Sequence, residues 1–194
     1  MNNKFLGEIV ESSLNNFVAQ SWDWQRPPSF GSVVIIDTKL RKLFAVVSFI
    51  QTSSIDQVRQ PFAFKKTQEE LIKEQPQIFE FLRTNFTCLM LGYVEENKVF
   101  SILPPEPPKI HEFVRIASQE EMYIFFNCSN YLQVLFGQVQ NIFNIDELLI
   151  ALLNNLKNQN LLNKNHFDEF IDIFLMINNN DYFKLKLFLK RLNL

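Results

Sequence analysis

Glycine is scarce in this chain. There are four among 194 residues, Gly7, Gly31, Gly92 and Gly137, and no two are close together. A loop that cradles phosphate needs several glycines within a few residues, so the chain carries neither a Walker A motif nor a dinucleotide fingerprint. Histidine and cysteine are equally sparse, with two of each. His111 and His166 lie in segments unrelated to Cys88 and Cys128, a spacing that fits no zinc pattern. Both cysteines sit in apolar runs, TCLML and FFNCSNYL. They read as small buried hydrophobes, and nothing signals a disulfide. Long hydrophobic runs are missing too, since no window offers the ~20 apolar residues of a membrane span. Met1 to Lys4 lead into FLGEIVESS, charged within a few residues, which is not the pattern of a secretory leader. A soluble, cytoplasmic protein is expected. Nor does one sign of charge dominate: 19 Lys and Arg face 21 Asp and Glu, a net charge of −2. That disfavours a chain-wide nucleic-acid or acidic-surface binder and leaves only local basic patches.

Chemistry is correspondingly thin. His111 stands beside Glu112, but no serine or cysteine occupies a recognisable nucleophile elbow, and His111 reads as a structural or surface residue. His166 opens a helix beside Asp168 and Glu169 and is expected to be solvated. The carboxylate pairs Glu69–Glu70, Glu95–Glu96 and Glu120–Glu121 are adjacent in sequence, so on a helix they do not face each other. They read as solvated caps and turns. No catalytic residue, metal or cofactor is assigned.

What is present is apolar and strongly patterned. Hydrophobic residues make up 47% of the chain, enough for a substantial core. The 21 phenylalanines accompany many Asn, Lys and Ile, all favoured by AT-rich codons, so this bias carries no functional weight. The first half reads as strands. Phe5–Glu11 and Phe17–Trp22 form a hairpin around Ser12, Ser13, Asn15 and Asn16. Pro27 and Pro28 break the pattern. GSVVIID at residues 31–37 and LFAVVSFIQ at 43–51 form a second hairpin through residues 38–42. Thr67 to Glu70 fits a capping box, and Pro76 starts a second helix with Ile78, Phe79, Phe81 and Leu82 on one face. Strands are expected at 86–94, 99–103 and 113–117, with a turn at 95–98 and a proline loop at 104–108. Six or more short strands with inserted helices predict a small closed β-barrel. Closure removes the open edges that invite aggregation.

The second half reads as helices. Ser118 to Glu121 is another capping box, opening the segment 122–139. Asn144 caps a helix with the stripe Leu148, Leu149, Leu152, Leu153 and Leu156. A polar break at 158–165 precedes the stripe Phe167, Phe170, Ile171, Phe174 and Leu175. Asn178–Asn180 ends that helix, and residues 182–192 form the last one. The class is therefore α+β: a barrel domain over 1–117 and a helical region over 118–194.

Two surface features stand out. Trp22, Trp24 and Arg26, beside Pro27 and Pro28, have the composition of a protein–protein hot spot, or else the tryptophans plug a barrel end. Arg59, Lys65 and Lys66, with Phe62 and Phe64, could grip single-stranded nucleic acid, unless the phenylalanines turn into the barrel.

The order of segments resembles a known group. GEIVESS at 7–13 is followed by PPSFGSVVII, LFAVVSFIQTSS, RQPFAF, EQPQIFEFLRTNFTCLMLGYV and ILPPEPPKIHEFV. Over residues 5–116 this series is similar to HAS-barrel proteins. These carry the small barrel at the N-terminus of HerA-type DNA translocases, and the one crowning the α and β subunits of F-type ATP synthases. The closest likeness is to stand-alone barrels with a helical tail. In the translocases the barrel helps assemble a hexameric ring and docks the nuclease NurA. The ATPase core that should follow is replaced here by helices, so no family catalytic residue carries over. The resemblance implies a non-catalytic adaptor, not an enzyme, that binds a macromolecular partner such as a ring ATPase or a HerA–NurA-like DNA-processing complex, with the barrel's outer wall as the gripping surface. Direct binding of single-stranded nucleic acid is the alternative, and self-association also fits. An enzyme centred on His111 and Glu112 is a third reading.

Overall fold

The computed structural model describes residues 5–56, 62–127, 130–138, 144–162 and 164–192. Its first half is a closed antiparallel barrel. The strands are β1 (Gly7–Ser12), β2 (Asn16–Ser21), β3 (Val33–Asp37), β4 (Arg41–Ser54), β5 (Leu82–Glu95), β6 (Lys98–Phe100) and β7 (Phe113–Ile116). The sheet runs β2-β1-β7-β3-β4-β5-β6, and pairing of β2 with β5 closes six of these strands into a ring. β6 hangs on β5 outside the ring.

Local chemistry sets each turn. Between β1 and β2 the Ser13 hydroxyl and amide both donate to the Asn16 carbonyl at 2.8 Å. Between β3 and β4 the Thr38 hydroxyl donates to the Arg41 carbonyl at 2.8 Å. Between β5 and β6, Glu96 and Asn97 adopt φ of 48° and 62°, as a tight primed hairpin turn requires. Bulges in the β1–β2 and β4–β5 ladders curl the sheet enough to close it.

The expected strand at 99–103 is shorter than its pattern: only Lys98–Phe100 pair, and Ile102 and Leu103 run exposed into the proline loop. The capping box at Thr67 forms as expected and opens α1 (Gln68–Glu74). The helix begun at Pro76 is a single turn, α2 (Gln77–Glu80). It ends there because the Ile55 amide donates to the Phe81 carbonyl at 2.7 Å and Leu82 enters the ladder opposite Ser54.

The helical half comprises α3 (Gln119–Phe125), α4 (Tyr131–Phe136), α5 (Ile145–Asn158), α6 (Lys164–Ile177) and α7 (Tyr182–Arg191). Among its described residues the segment 122–139 thus holds two short helices. Ser118 and Asn144 cap as their sequences predict. Asn179 and Asn180 take φ of 54° and 58° and end α6.

Two apolar cores meet across the barrel wall. Inside lie Ile9, Phe17, Val34, Ile36, Phe86 and Met90, with the buried free thiol of Cys88 among them. Burial pushes that thiol's pKa well up. Cys128 lies outside the described residues. Outside the barrel, Val33, Ile35, Phe44, Val46, Leu89 and Leu91 share a second core with the helices. Phe125 of α3 stacks on Phe44 of β4 at 4.2 Å. The outer wall of the barrel is open only in part. On the β3–β4–β5 side the chain's own helices occupy it, because those strands are apolar on both faces. No helix of the described residues is long and apolar enough to cross a membrane.

Candidate docking surface

Around the six-strand ring β4 is three places from β1 in either direction, so the helix-covered wall and the wall centred on β1 lie on opposite sides. On the β1 side Glu8 faces Phe113 of β7 and Gln20 of β2. Trp22 prolongs this pairing by donating its amide to the Leu6 carbonyl at 2.9 Å. The register brings three rings together. Phe5 and Phe113 have centroids 5.1 Å apart, Trp22 and Phe113 5.2 Å, and Phe5 and Trp22 6.3 Å. Trp22 remains 55% exposed and Phe113 45%, so the cluster is a solvent-facing patch and not part of either core.

Trp24 and Arg26 do not join it. Trp24 stacks on Phe79 of α2 at 5.6 Å. Its carbonyl accepts from the buried Thr84 hydroxyl at 2.6 Å, and Thr84 in turn pairs with the Thr52 hydroxyl at 2.8 Å. Arg26 stays exposed, 3.7 Å from Asp23. Of the three candidates in that loop, Trp22 alone therefore lies in the patch. Phe5 and Phe113 escape a linear reading because barrel closure, not sequence proximity, makes β1 and β7 neighbours. The available hint was Phe113 standing at a strand start, out of phase with the inward Val114.

Beside the patch runs a shallow groove lined by Phe5, Lys42, His111, Phe113, Arg115 and Glu121. His111, with φ of 70°, points Nδ1 at Glu8 Oε1 2.8 Å away. Glu112 is not its partner, because Glu112 Oε2 accepts from the Lys109 amide at 2.9 Å. At the groove floor Arg115, only 8% exposed, donates from Nε and Nη2 to Asp37 at 2.6 and 2.8 Å. From Nη1 and Nη2 it donates to Glu121 at 2.7 and 2.8 Å. Lys42 adds a bond to Glu121 at 2.7 Å. Glu121 is also the third residue of α3 and closes its capping box, so this network ties β3, β4 and β7 to the first helix of the tail.

The hydrogen bonds from Arg115 hold the Glu121 carboxyl well below the usual carboxylate range, and those to Asp37 lower its pKa as well; burial opposes both. The same bonds, from Glu121 first and Asp37 second, strengthen the proton on Arg115. Because the folded-state values are depressed, the network's stabilisation is complete above the ordinary carboxylate value of about 4 and is lost as pH falls through the depressed values. Arg115→Met should cost about 2–4 kcal/mol near pH 7, since it removes the shared partner of two carboxylates, although Glu121 keeps Lys42 and Asp37 is partly solvated. Urea melts should show that cost shrinking towards pH 2. An equal loss at both ends would mean that only packing was removed.

The basic cluster is only partly in view. Arg59 lies outside the described residues. Lys65 is exposed with φ of 57°, and Lys66 is ion-paired with Glu74 of α1. Phe62 and Phe64 pack against each other with tilted rings, centroids 4.2 Å apart, and Phe62 is exposed, so Phe62 does not turn into the barrel. The helix that follows adds Glu69 and Glu70, which blunts the local positive field.

His166 departs from its expected solvated position and is only 6% exposed. Its position on α6 turns the ring towards Tyr131, with ring centroids 6.2 Å apart. Burial pushes its pKa down, opposed by a hydrogen bond to the Leu161 carbonyl and by the charge of Glu169. A small polar recess containing Tyr123, Asn127, Asn165 and Glu169 opens beside it. Among the described residues no group of three or more His, Cys, Asp or Glu is placed to hold a metal ion. No protein-family model matches the chain, and no curated protein matches it either.

Proposed function

We propose that this chain is a non-catalytic adaptor that holds a protein partner on the barrel wall formed by β1, β2 and β7. The observation that carries this is the exposed ring cluster Phe5–Trp22–Phe113 on the wall opposite the helices. Aromatic side chains give large contact area at low entropic cost and are enriched in hot spots. The tail supports such a role by covering the other side of the barrel, which leaves one wall open for docking. The likeness in segment order to HAS barrels makes a ring ATPase of the HerA type, or a HerA–NurA-like complex, the partner class to test first.

The test is affinity capture from the native cell with the intact chain and with Trp22→Ala/Phe113→Ala. Removing two hot-spot rings should lower partner recovery about thirtyfold or more. Equal recovery by both proteins would sink the docking wall. A partner set with neither an ATPase nor a DNA-processing protein would sink its family-level form. The alternative of single-stranded nucleic-acid binding rests on exposed Phe62 packed against Phe64 beside Lys65. It requires salt-dependent binding of an oligonucleotide that Lys65→Ala weakens.

A further inference from the structure

The chain exposes a second apolar patch far from the barrel wall, on its last helix. α7 packs on α5 and α6 through Leu185, Phe188 and Leu192. Its opposite face carries Phe183, 72% exposed, and Leu187, 48% exposed, one helical turn apart. Lys186 and Lys190 are exposed on that same face. Met176, near the end of α6, is exposed as well. The helix holds no acidic residue, and its other cations are engaged: Lys184 donates to Asn178 and Arg191 pairs with Glu147.

The barrel wall has the opposite polarity. On β1, β2 and β7 the charged residues are Glu8, Glu11 and Arg115, and Arg115 is buried under Asp37 and Glu121. What the three strands offer to solvent is therefore aromatic and acidic, with Glu11 exposed and Glu8 sharing its carboxylate with His111. What α7 offers is aromatic, aliphatic and basic. A lysine set against Trp22 would gain its ring face while reaching Glu8.

We infer that the docking wall of one copy is covered by α7 of a second copy, in a head-to-tail contact. This rests on the wall being a docking face and names what occupies it when no other partner is bound. The two surfaces are different and lie on different parts of the molecule, so the contact is heterologous, and repeats of it build rings or open chains instead of closing as a two-fold dimer. Self-covering regulates the wall: a protein partner must displace α7, so capture weakens as the adaptor concentrates. It also hides an apolar patch that would otherwise stay in water.

Sedimentation velocity on the full chain tests this without any partner. At low salt the intact protein should associate increasingly with concentration, and added salt should weaken the association. Lys186→Glu/Lys190→Glu should shift the midpoint at least about tenfold, and so should Glu8→Lys/Glu11→Lys. Each variant keeps one native surface, so an equimolar mixture re-pairs acid with base at both kinds of contact and should associate again. An intact chain that stays monomeric at low salt, reversals that change nothing, or a mixture that fails to recover would each overturn the head-to-tail contact. Because Glu8 pairs with His111, Phe183→Ser is the check against misfolding: it leaves the wall untouched and should still abolish association. A monomeric intact chain whose partner capture still depends on Trp22 would sink the self-contact and spare the docking wall.

Discussion

A chain ended after Ala117 should not survive as a soluble, folded barrel. Removing α3 to α7 uncovers Val33, Ile35, Phe44, Val46, Leu89 and Leu91 on the outer side of β3, β4 and β5. Burying such a side chain is worth about 1.5–3 kcal/mol, so losing several of them rivals the roughly 5–15 kcal/mol net stability of an ordinary domain. The truncation also deletes Phe125 from its stack on Phe44 and removes Glu121 from Arg115, leaving a guanidinium with half its partners. The exposed wall is a contiguous, twisted, apolar sheet surface of the kind that drives association. In size-exclusion chromatography at a salt concentration that suppresses self-contact, the fragment should elute in the void volume or bind a hydrophobic dye strongly, while the full chain elutes at its monomer volume and binds the dye less. A monomeric fragment with a cooperative melt would show that the barrel is self-sufficient and that the tail only decorates it.

The same wall shows how far the sequence could be read. The barrel, its hairpins, both capping boxes and the leucine and phenylalanine stripes were legible, because period-2 and period-3.6 patterns and turn residues act locally. The coupling of the two halves was written in the runs VVII, LFAVV and CLML, which do not alternate. A strand with one wet face alternates, and a continuous apolar strand is covered on both sides. The runs show that the strands are buried, but which element covers their outer side is decided by the tertiary fold. The docking patch was half legible. Trp22 could be singled out by composition, but its companions Phe5 and Phe113 reach it through closure of the ring, and closure is a non-local event. His111 is the surface residue its sequence suggested, but its partner Glu8, more than a hundred residues away in sequence and one strand away in space, could not be read from its neighbours. His166 looked solvated because it opens a helix beside two acidic residues, yet its place on α6 turns the ring towards Tyr131.

Gly31→Ala is expected to be among the most damaging single-methyl additions in the molecule. Gly31 has φ of +78°, where a side chain costs about 1–2 kcal/mol. A Cβ there would lie 2.4 Å from Ala151 Cβ, 2.8 Å from the Ala151 carbonyl carbon and 3.1 Å from the Leu152 nitrogen. Two of these are backbone atoms of α5, so no rotamer change relieves the clash and the helix itself must lift. It cannot lift freely, because Leu148, Leu149, Leu152, Leu153 and Leu156 anchor it in the shared core. From the other side the Gly31 amide donates to the Val47 carbonyl at 2.9 Å and fixes the glycine on the barrel. Overpacking adds about 1–3 kcal/mol, for a total near 2–5 kcal/mol. Gly137→Ala is the control. Its φ of −64° is helical, and its nearest neighbours would be carbonyl oxygens at 3.3 and 3.4 Å. That substitution should be close to neutral. Chemical denaturation of both variants separates the explanations: a large loss at residue 31 with little at 137 places the cost in the seam between barrel and tail. Comparable small losses would mean that α5 rests on the barrel loosely enough to yield, and the unity of the two halves would have to be abandoned.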